Sequence, residues 1–430
     1  MVFRCITSTG VEDFTALELS GLADELIEQG LLIPHRVVER TPEQIVCQPT
    51  MVPLISYPYE WCFSQLKAAA ICTLEIQEKA LQRGLSLKDA SAYNIQFVGS
   101  RAVFIDTSSL EIYQEGDVWM AYRQFCEHFL CPLLLLSKLD FGLSRLQLAY
   151  LDGIPLRIAS ELLPKLSWLN PWLNLHVKQH AKASAASPKA QTSPSSKVAK
   201  TAILGLVKTL RSAVEGLEWK TTHSTWSTYS SADSYSSADS QEKARLLETF
   251  ADQLELTPKQ VWDIGANAGE FSRIFSRRGW YTAAWDIDEN AVERNFASCV
   301  RDGEKNLLPL IQDATNPSPN LGWNGLERQS LFERGPVDLV VSLAFIHHMV
   351  IGNSVPMDLV ASFFARLGKH LMIEFVDNED PRVQQLRSSR KTFQAYDLET
   401  FKSAFGAHFE ILEEKPIGQS ERRLFLMRVR

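Results

Sequence analysis

The spacing of apolar residues divides the chain into a leading part with mixed signals, two stretches nearly devoid of apolar residues, and a closing part in which strand-like and helix-like runs alternate. In the leading part, EDFTALELSGLADELIEQG has helical spacing and stops at Gly30, which predicts a small helix. An apolar run follows around 45–55. Leu66, Ala70, Leu74 and Leu81 then share one side of a helix predicted over 64–83. Two short strands are expected at 94–98 and 102–106, joined by Gly99-Ser100, and a further helical stretch over 120–139. After Gln241 the alternation of strand and helix signals predicts a parallel α/β sheet.

The two apolar-poor stretches set the domain expectations. QHAKASAASPKAQTSPSSKVAK, at 179–200, cannot bury enough apolar surface to offset chain entropy, so it is expected to be a flexible linker. Further on, YSSADS at 229–234 is duplicated at 235–240. The expected organisation is therefore an α+β domain at 1–178, the linker at 179–200, a helix plus an aromatic, Ser-rich segment at 201–240, and the α/β domain at 241–430. A length of 430 residues agrees with two cores rather than one. Trp219, Trp226, Tyr229 and Tyr235 lie in or beside that aromatic segment. They are expected either to form a lid over a bound ligand or to pack at a domain edge.

Charge and cysteine usage narrow the function classes. Lys and Arg total 44 against 51 acids, a net −7, which argues against a broad nucleic-acid-binding surface. The seven cysteines form no CxxC pair, so neither a zinc site nor a disulfide framework is indicated, and no metal is expected. The opening MVFRCITSTG has no apolar signal-peptide core, and the longest apolar run, Phe129 to Leu136, is far too short to span a bilayer. A cytoplasmic protein without a membrane span is expected.

Candidate chemistry is concentrated in VWDIGANAGEFSRIFSRRG. An apolar strand runs into a turn where Gly265 and Gly269 would let backbone approach a ligand and Asn267 tolerates unusual dihedrals. A helix expected over 269–278 would present its N-terminus to the ligand. The next strand, YTAAWDID, carries Asp286 23 residues after Asp263, where a Rossmann-type fold holds ribose hydroxyls. The spacing is G-x-x-x-G, not the dinucleotide G-x-G-x-x-G, and no phosphate-loop string occurs. A nucleoside ligand other than a dinucleotide is the reading.

The run D-x-G-x-N-x-G, an acid after the second strand, and the later segments IQDAT, PVDLVVSLAFIHH, KHLMIEFV and FEILEEKPIGQSERRLFLMRVR together resemble class I S-adenosylmethionine-dependent methyltransferases. The resemblance implies a Rossmann-like seven-stranded sheet closed by an antiparallel pair, with S-adenosylmethionine as cofactor. It places Asp263, Gly265, Asn267 and Gly269 at the methionine side, Asp286 at the ribose, and Asp313 and Ala314 at the adenine. Methyl transfer asks the protein to align the acceptor and, for hydroxyl or amine acceptors, to take a proton. His347 and His348, at the mouth after the fourth strand, are the candidate catalytic pair. Adjacent side chains are expected to diverge, so that only one faces the site. Glu374 is a further candidate.

The leading domain contains Asp89, Asn94 and, after a hairpin, Asp106. This spacing resembles the catalytic loop and metal-binding acid of kinase-like phosphotransferases. No Gly-rich loop precedes it, and Thr-Ser rather than Phe-Gly follows Asp106. An active phosphotransferase, a degenerate kinase-like C-lobe and an unrelated binding domain all remain open readings. The stretches ISYPYEWCFSQLKAAAICTLEIQ, LKDASAYNIQF and MAYRQFCEHFLCPLLLL, joined to the closing domain, resemble the nodulation protein NoeA-related methyltransferases. That resemblance implies a small-molecule or glycan/lipid-linked acceptor. The alternatives carried forward are a catalytically silent scaffold that keeps the fold and a bifunctional enzyme.

Overall fold

The computed structural model describes residues 2–165, 167, 170–179, 197–219, 237–254, 260–389 and 395–430. Most of 179–200 and the tyrosine repeat therefore lie outside the described residues, as do Trp226, Tyr229 and Tyr235. The chain forms two compact units, 1–222 and 223–430.

In the first unit, strands β1 (Arg4–Thr7), β2 (His35–Arg40) and β3 (Gln44–Pro49) form an antiparallel sheet in the order β1-β3-β2. The single helix expected to end at Gly30 is two helices, Ser8–Leu19 and Leu22–Glu28. Gly21 separates them at φ 69°, a left-handed conformation that ends the first helix. The helix Phe63–Gln82 forms the core of the unit, burying Leu66, Ala70, Leu74 and Leu81 on the side that the spacing marked. Its start is fixed by Gln65, whose Oε1 accepts the Cys62 N–H at 2.9 Å.

Strands β4 (Leu85–Leu87) and β7 (Leu110–Ile112) pair with each other around the hairpin β5 (Ile95–Val98) and β6 (Arg101–Phe104). The helical stretch over 120–139 is interrupted by a π-helical turn, Cys126–Leu130, before the buried helix Cys131–Lys138. Helix Lys200–Glu215 packs on Phe63–Gln82, and the Lys67 ammonium donates to the carbonyls of Glu215 (2.7 Å) and Leu217 (2.8 Å). Trp219 packs in this unit against Phe63 and Phe141.

The second unit is an α/β, Rossmann-like layer structure. Its strands are β8 (Gln260–Ile264), β9 (Tyr281–Asp286), β10 (Leu307–Ile311), β11 (Val337–Ser342), β12 (Gly368–Val376), β13 (Phe409–Pro416) and β14 (Arg422–Val429). They form one sheet in the order β10-β9-β8-β11-β12-β14-β13, parallel except for β14, which runs antiparallel to both neighbours. The central strands are buried along nearly their whole length, as sheets covered on both faces require. Helices Ser237–Gln253, Glu289–Asp302, Met357–Leu367 and Leu398–Gly406 supply that cover, each with an apolar stripe.

The chain order reverses between β8 and β11: β9 and β10 lie to one side, β12 and the closing pair to the other. A crevice opens at the carboxyl ends of the strands at such a reversal, and there open α/β sheets bind ligands.

Candidate functional site

A cavity of about 270 Å³ occupies this crevice. The turn after β8 forms its floor. Gly265 (φ 81°) and Asn267 (φ 49°) both adopt left-handed dihedrals, and the N–H groups of Gly265 and Ala266 donate to the Trp285 carbonyl at 2.9 and 3.0 Å. A Cβ on Gly265 would stand 2.7 Å from the Phe345 ring, so the close approach that demands glycine here is to that side chain. The helix expected over 269–278 is shorter, Ser272–Ser276.

Gly269 is not on the cavity wall. Its φ is 75°, and a Cβ there would meet the buried Asn295 amide at 2.3 Å, so the close approach that demands glycine here is to the helix that carries Asn295. Gly269→Ala is expected to destabilise the unit by about 3 kcal/mol, the sum of left-handed strain and overlap. Thermal unfolding of the variant measures this, and an unchanged midpoint would refute it.

Two carboxylates frame the turn. Asp263 is buried and accepts the Ser272 hydroxyl at 2.6 Å. Burial lifts its pKa to about 7 against that hydrogen bond; Asp286 adds repulsion and Lys243 opposes it. Asp286 accepts the Asn267 N–H at 2.7 Å on one oxygen and the Asp288 N–H at 2.8 Å on the other, which ties the turn to the end of β9. Burial raises it to about 6 against those two backbone bonds. Each oxygen keeps a lone pair for a further donor. Asp313 and Ala314, beyond β10, also line the cavity, and Asp313 Oδ1 accepts the Thr315 N–H (2.9 Å) and hydroxyl (2.6 Å).

Past β11, Ala344 takes φ 50°, a strained value for a residue with a Cβ, and the chain enters a π-helical turn at His348–Gly352. This path brings both histidines to the cavity, with ring centres 4.1 Å apart. The expectation that only one would face it is corrected. The divergence of adjacent side chains assumes regular helix or strand, which the turn here is not. Burial, together with the charge of Arg382, drives His348 down to about 4. His347 is held well below the usual imidazole range by burial, by His348 and by Arg422 and Arg382. Both are neutral near pH 7.

Glu374 is fully buried behind this wall rather than on it. Its oxygens accept Lys243 Nζ at 2.9 Å and Arg422 Nη1 at 3.1 Å, and Arg422 Nε bonds Asp380 at 2.8 Å. Lys243 and Arg422 do line the cavity, and the sequence reading missed both. The signal for Lys243 was present: it falls on the apolar stripe of Leu246, Leu247 and Phe250.

In the first unit Asp89 accepts the Ser91 N–H (2.9 Å), while Asn94 donates to the Ser109 hydroxyl (3.2 Å), which donates to Asp106 (2.7 Å). Asn94 and Asp106 are thus linked through Ser109, but Arg4 is ion-paired with the Asp106 carboxylate at 2.6 Å.

Among curated proteins, nodulation protein NoeA of Rhizobium meliloti (strain 1021) is 33% identical over 440 residues, an alignment that spans 99% of this chain and 91% of that one. The chain belongs to the NoeA family. No family profile matches it. Two solved structures resemble part of this NoeA-family chain. They are magnesium protoporphyrin IX methyltransferase from Synechocystis PCC 6803 (15% identity, 45% of this chain and 84% of that one, TM-score 0.33) and N-methyltransferase NodS from Bradyrhizobium japonicum WM9 (14%, 45% and 97%, TM-score 0.34). No helix among the described residues of this NoeA relative is long and apolar enough to cross a membrane.

Proposed function

We propose that the second unit is an S-adenosylmethionine-dependent methyltransferase acting on a small-molecule or glycan acceptor. The observation that supports this best is Asp286: its carboxylate stands at the end of β9 on the cavity wall, held by two backbone N–H groups, with lone pairs left for the vicinal hydroxyls of a ribose. The walls also fit a nucleoside ligand. Trp285 Nε1 and His347 Nδ1 are buried side-chain atoms on the lining residues that find no hydrogen-bond partner among the described residues. Leu331, Leu343, Phe345 and Phe363 supply apolar surface.

The cofactor, when bound, supplies an activated methyl group on a sulfonium. The chain's part is then to hold and align. Asp263, Gly265 and Asn267 cradle the amino-acid end, Asp286 the ribose, and Asp313 and Ala314 the base. His347 and His348, neutral and side by side, can accept a hydrogen bond from the acceptor's hydroxyl or amine and so orient it. Glu374 sets the positions of Lys243 and Arg422 without touching the cavity.

Calorimetric titration of S-adenosylhomocysteine into the full-length protein tests the reading. Micromolar binding supports it, and a folded protein that binds neither this product nor S-adenosylmethionine leaves a scaffold. The pH dependence is a sharper check. Asp286 must be ionised to accept two hydroxyl donors fully, and its pKa is about 6. Affinity should fall on acidification, starting near pH 7 where Asp263 takes a proton and steepening below pH 6, by up to about tenfold per pH unit, as Asp286 does. Affinity that rises on acidification would contradict this assignment.

A further inference from the structure

The cavity wall is electrically two-sided. On the side formed after β8, β9 and β10, the lining carboxylic acids are Asp263, Glu270, Asp286 and Asp313, and the one lining cation beside them among the described residues is the buried Lys243, over the Phe271 ring and paired with Glu374. On the side formed by the segment after β11, helix Pro381–Ser389 and β14, the ionisable lining side chains among the described residues are basic: His347, His348, Arg382 and Arg422. The carboxylates of Glu374 and Asp380 stand behind this wall and outside the lining. They neutralise Lys243 and Arg422 from the rear. Asp380 also accepts the Arg382 N–H at 2.9 Å, which fixes the first turn of the helix that carries Arg382.

His347 adds an independent sign of a ligand here. It is 2% exposed, lines the cavity, and its Nδ1 has no hydrogen-bond partner among the described residues. A buried imidazole nitrogen left without a partner costs free energy unless something in the cavity meets it. The charges of Arg382 and Arg422 both reach this ring and disfavour its protonation. An anion seated between them would relieve that repulsion and could accept from the His347 N–H.

From this arrangement we propose that the acceptor is anionic, carrying a carboxylate or phosphate group that is bound by Arg382 and His347 on the β11–β14 side of the cavity. Arg382 is the specificity-determining residue, because a guanidinium can grip two oxygens of either group. The proposal rests on the methyltransferase reading for the word acceptor, while the anion site itself stands on the wall's composition. The nucleoside carboxylate, Asp286, lies on the opposite side of β8, so the anion is assigned to the second ligand rather than to the cofactor.

The test uses the full-length protein saturated with S-adenosylhomocysteine, titrated with inorganic phosphate and, separately, acetate, for wild type and Arg382→Gln. Saturable binding of one of these by wild type is expected, weakened about tenfold or more in the variant. Affinity for S-adenosylhomocysteine should stay within about twofold, since the variant leaves the acidic side untouched. The tighter probe identifies the group. No saturable anion binding by wild type, or binding indifferent to Arg382→Gln, overturns the proposal. A loss of S-adenosylhomocysteine affinity equal to the loss of anion affinity also overturns it, because the anion would then be the cofactor's own carboxylate. If wild type binds no S-adenosylhomocysteine, the methyltransferase reading fails by itself. The same phosphate and acetate titrations on the ligand-free protein then decide whether the anion site exists. Circular dichroism melting of Arg382→Gln, a partly exposed position, confirms that the comparison is between folded proteins.

Discussion

Glu374→Gln is expected to destabilise the second unit by about 3–5 kcal/mol, because it removes the shared counter-charge of two buried cations. Glu374 is 0% exposed and binds Lys243 and Arg422 through different oxygens. Arg422 keeps Asp380 in the variant, but Lys243, 1% exposed and already pushed down in pKa by burial, loses its direct carboxylate partner. Hydrogen exchange of the β12 and β14 amides is the suitable readout, since it reports this unit alone. Lys243→Met should restore most of the loss in the double variant, because the cation left in low dielectric is then gone. A double-mutant cycle with a coupling energy near zero would show that the ion pair is not what holds these elements together.

Asp286→Ala is expected to weaken S-adenosylhomocysteine binding by at least about a hundredfold. Two hydrogen bonds from ribose hydroxyls to a carboxylate are lost, each of the charge-assisted kind worth about 1.5–3 kcal/mol. The substitution also frees the Asn267 N–H, so part of the effect comes from a looser turn. Asp286→Asn separates the two contributions. Its amide keeps one carbonyl acceptor of the right shape but loses the charge, so affinity should fall between the wild type and the alanine variant. Calorimetry on both, with melting temperatures as a control for folding, checks this. Affinity within about threefold of wild type in Asp286→Ala would remove the central support of the proposed function.

Much of the second unit was legible along the chain. Central parallel strands are covered on both faces, so β8, β9, β11 and β12 read as short apolar runs between helical patterns. The turn at 263–269 and the acid at the end of β9 are likewise local features, since the dihedral tolerance of Gly265 and Asn267 belongs to the residues themselves. The first unit was less legible. β1, β2, β4 and β7 are short or partly exposed, and such strands carry little periodic signal.

What the sequence by itself determined was thus the acidic side of the cavity, where Asp263, Gly265, Asn267 and Asp286 lie within a few residues of strand ends. The other side was decided only by the tertiary structure. Lys243, Glu374 and Arg422 meet across separations of 131 and 48 residues. They meet because β14 inserts between β12 and β13 in a register that sets Leu424 opposite Glu374 and Arg422 opposite Val376. Both histidines reach the cavity because a left-handed Ala344 and a π-helical turn redirect the chain. Gly269 is required by Asn295, which approaches from a helix one strand further along. Local patterns record which way a backbone can bend. Which buried charge finds which partner follows from strand order and register, because burial penalises an ionised group until the fold brings its counter-charge within reach.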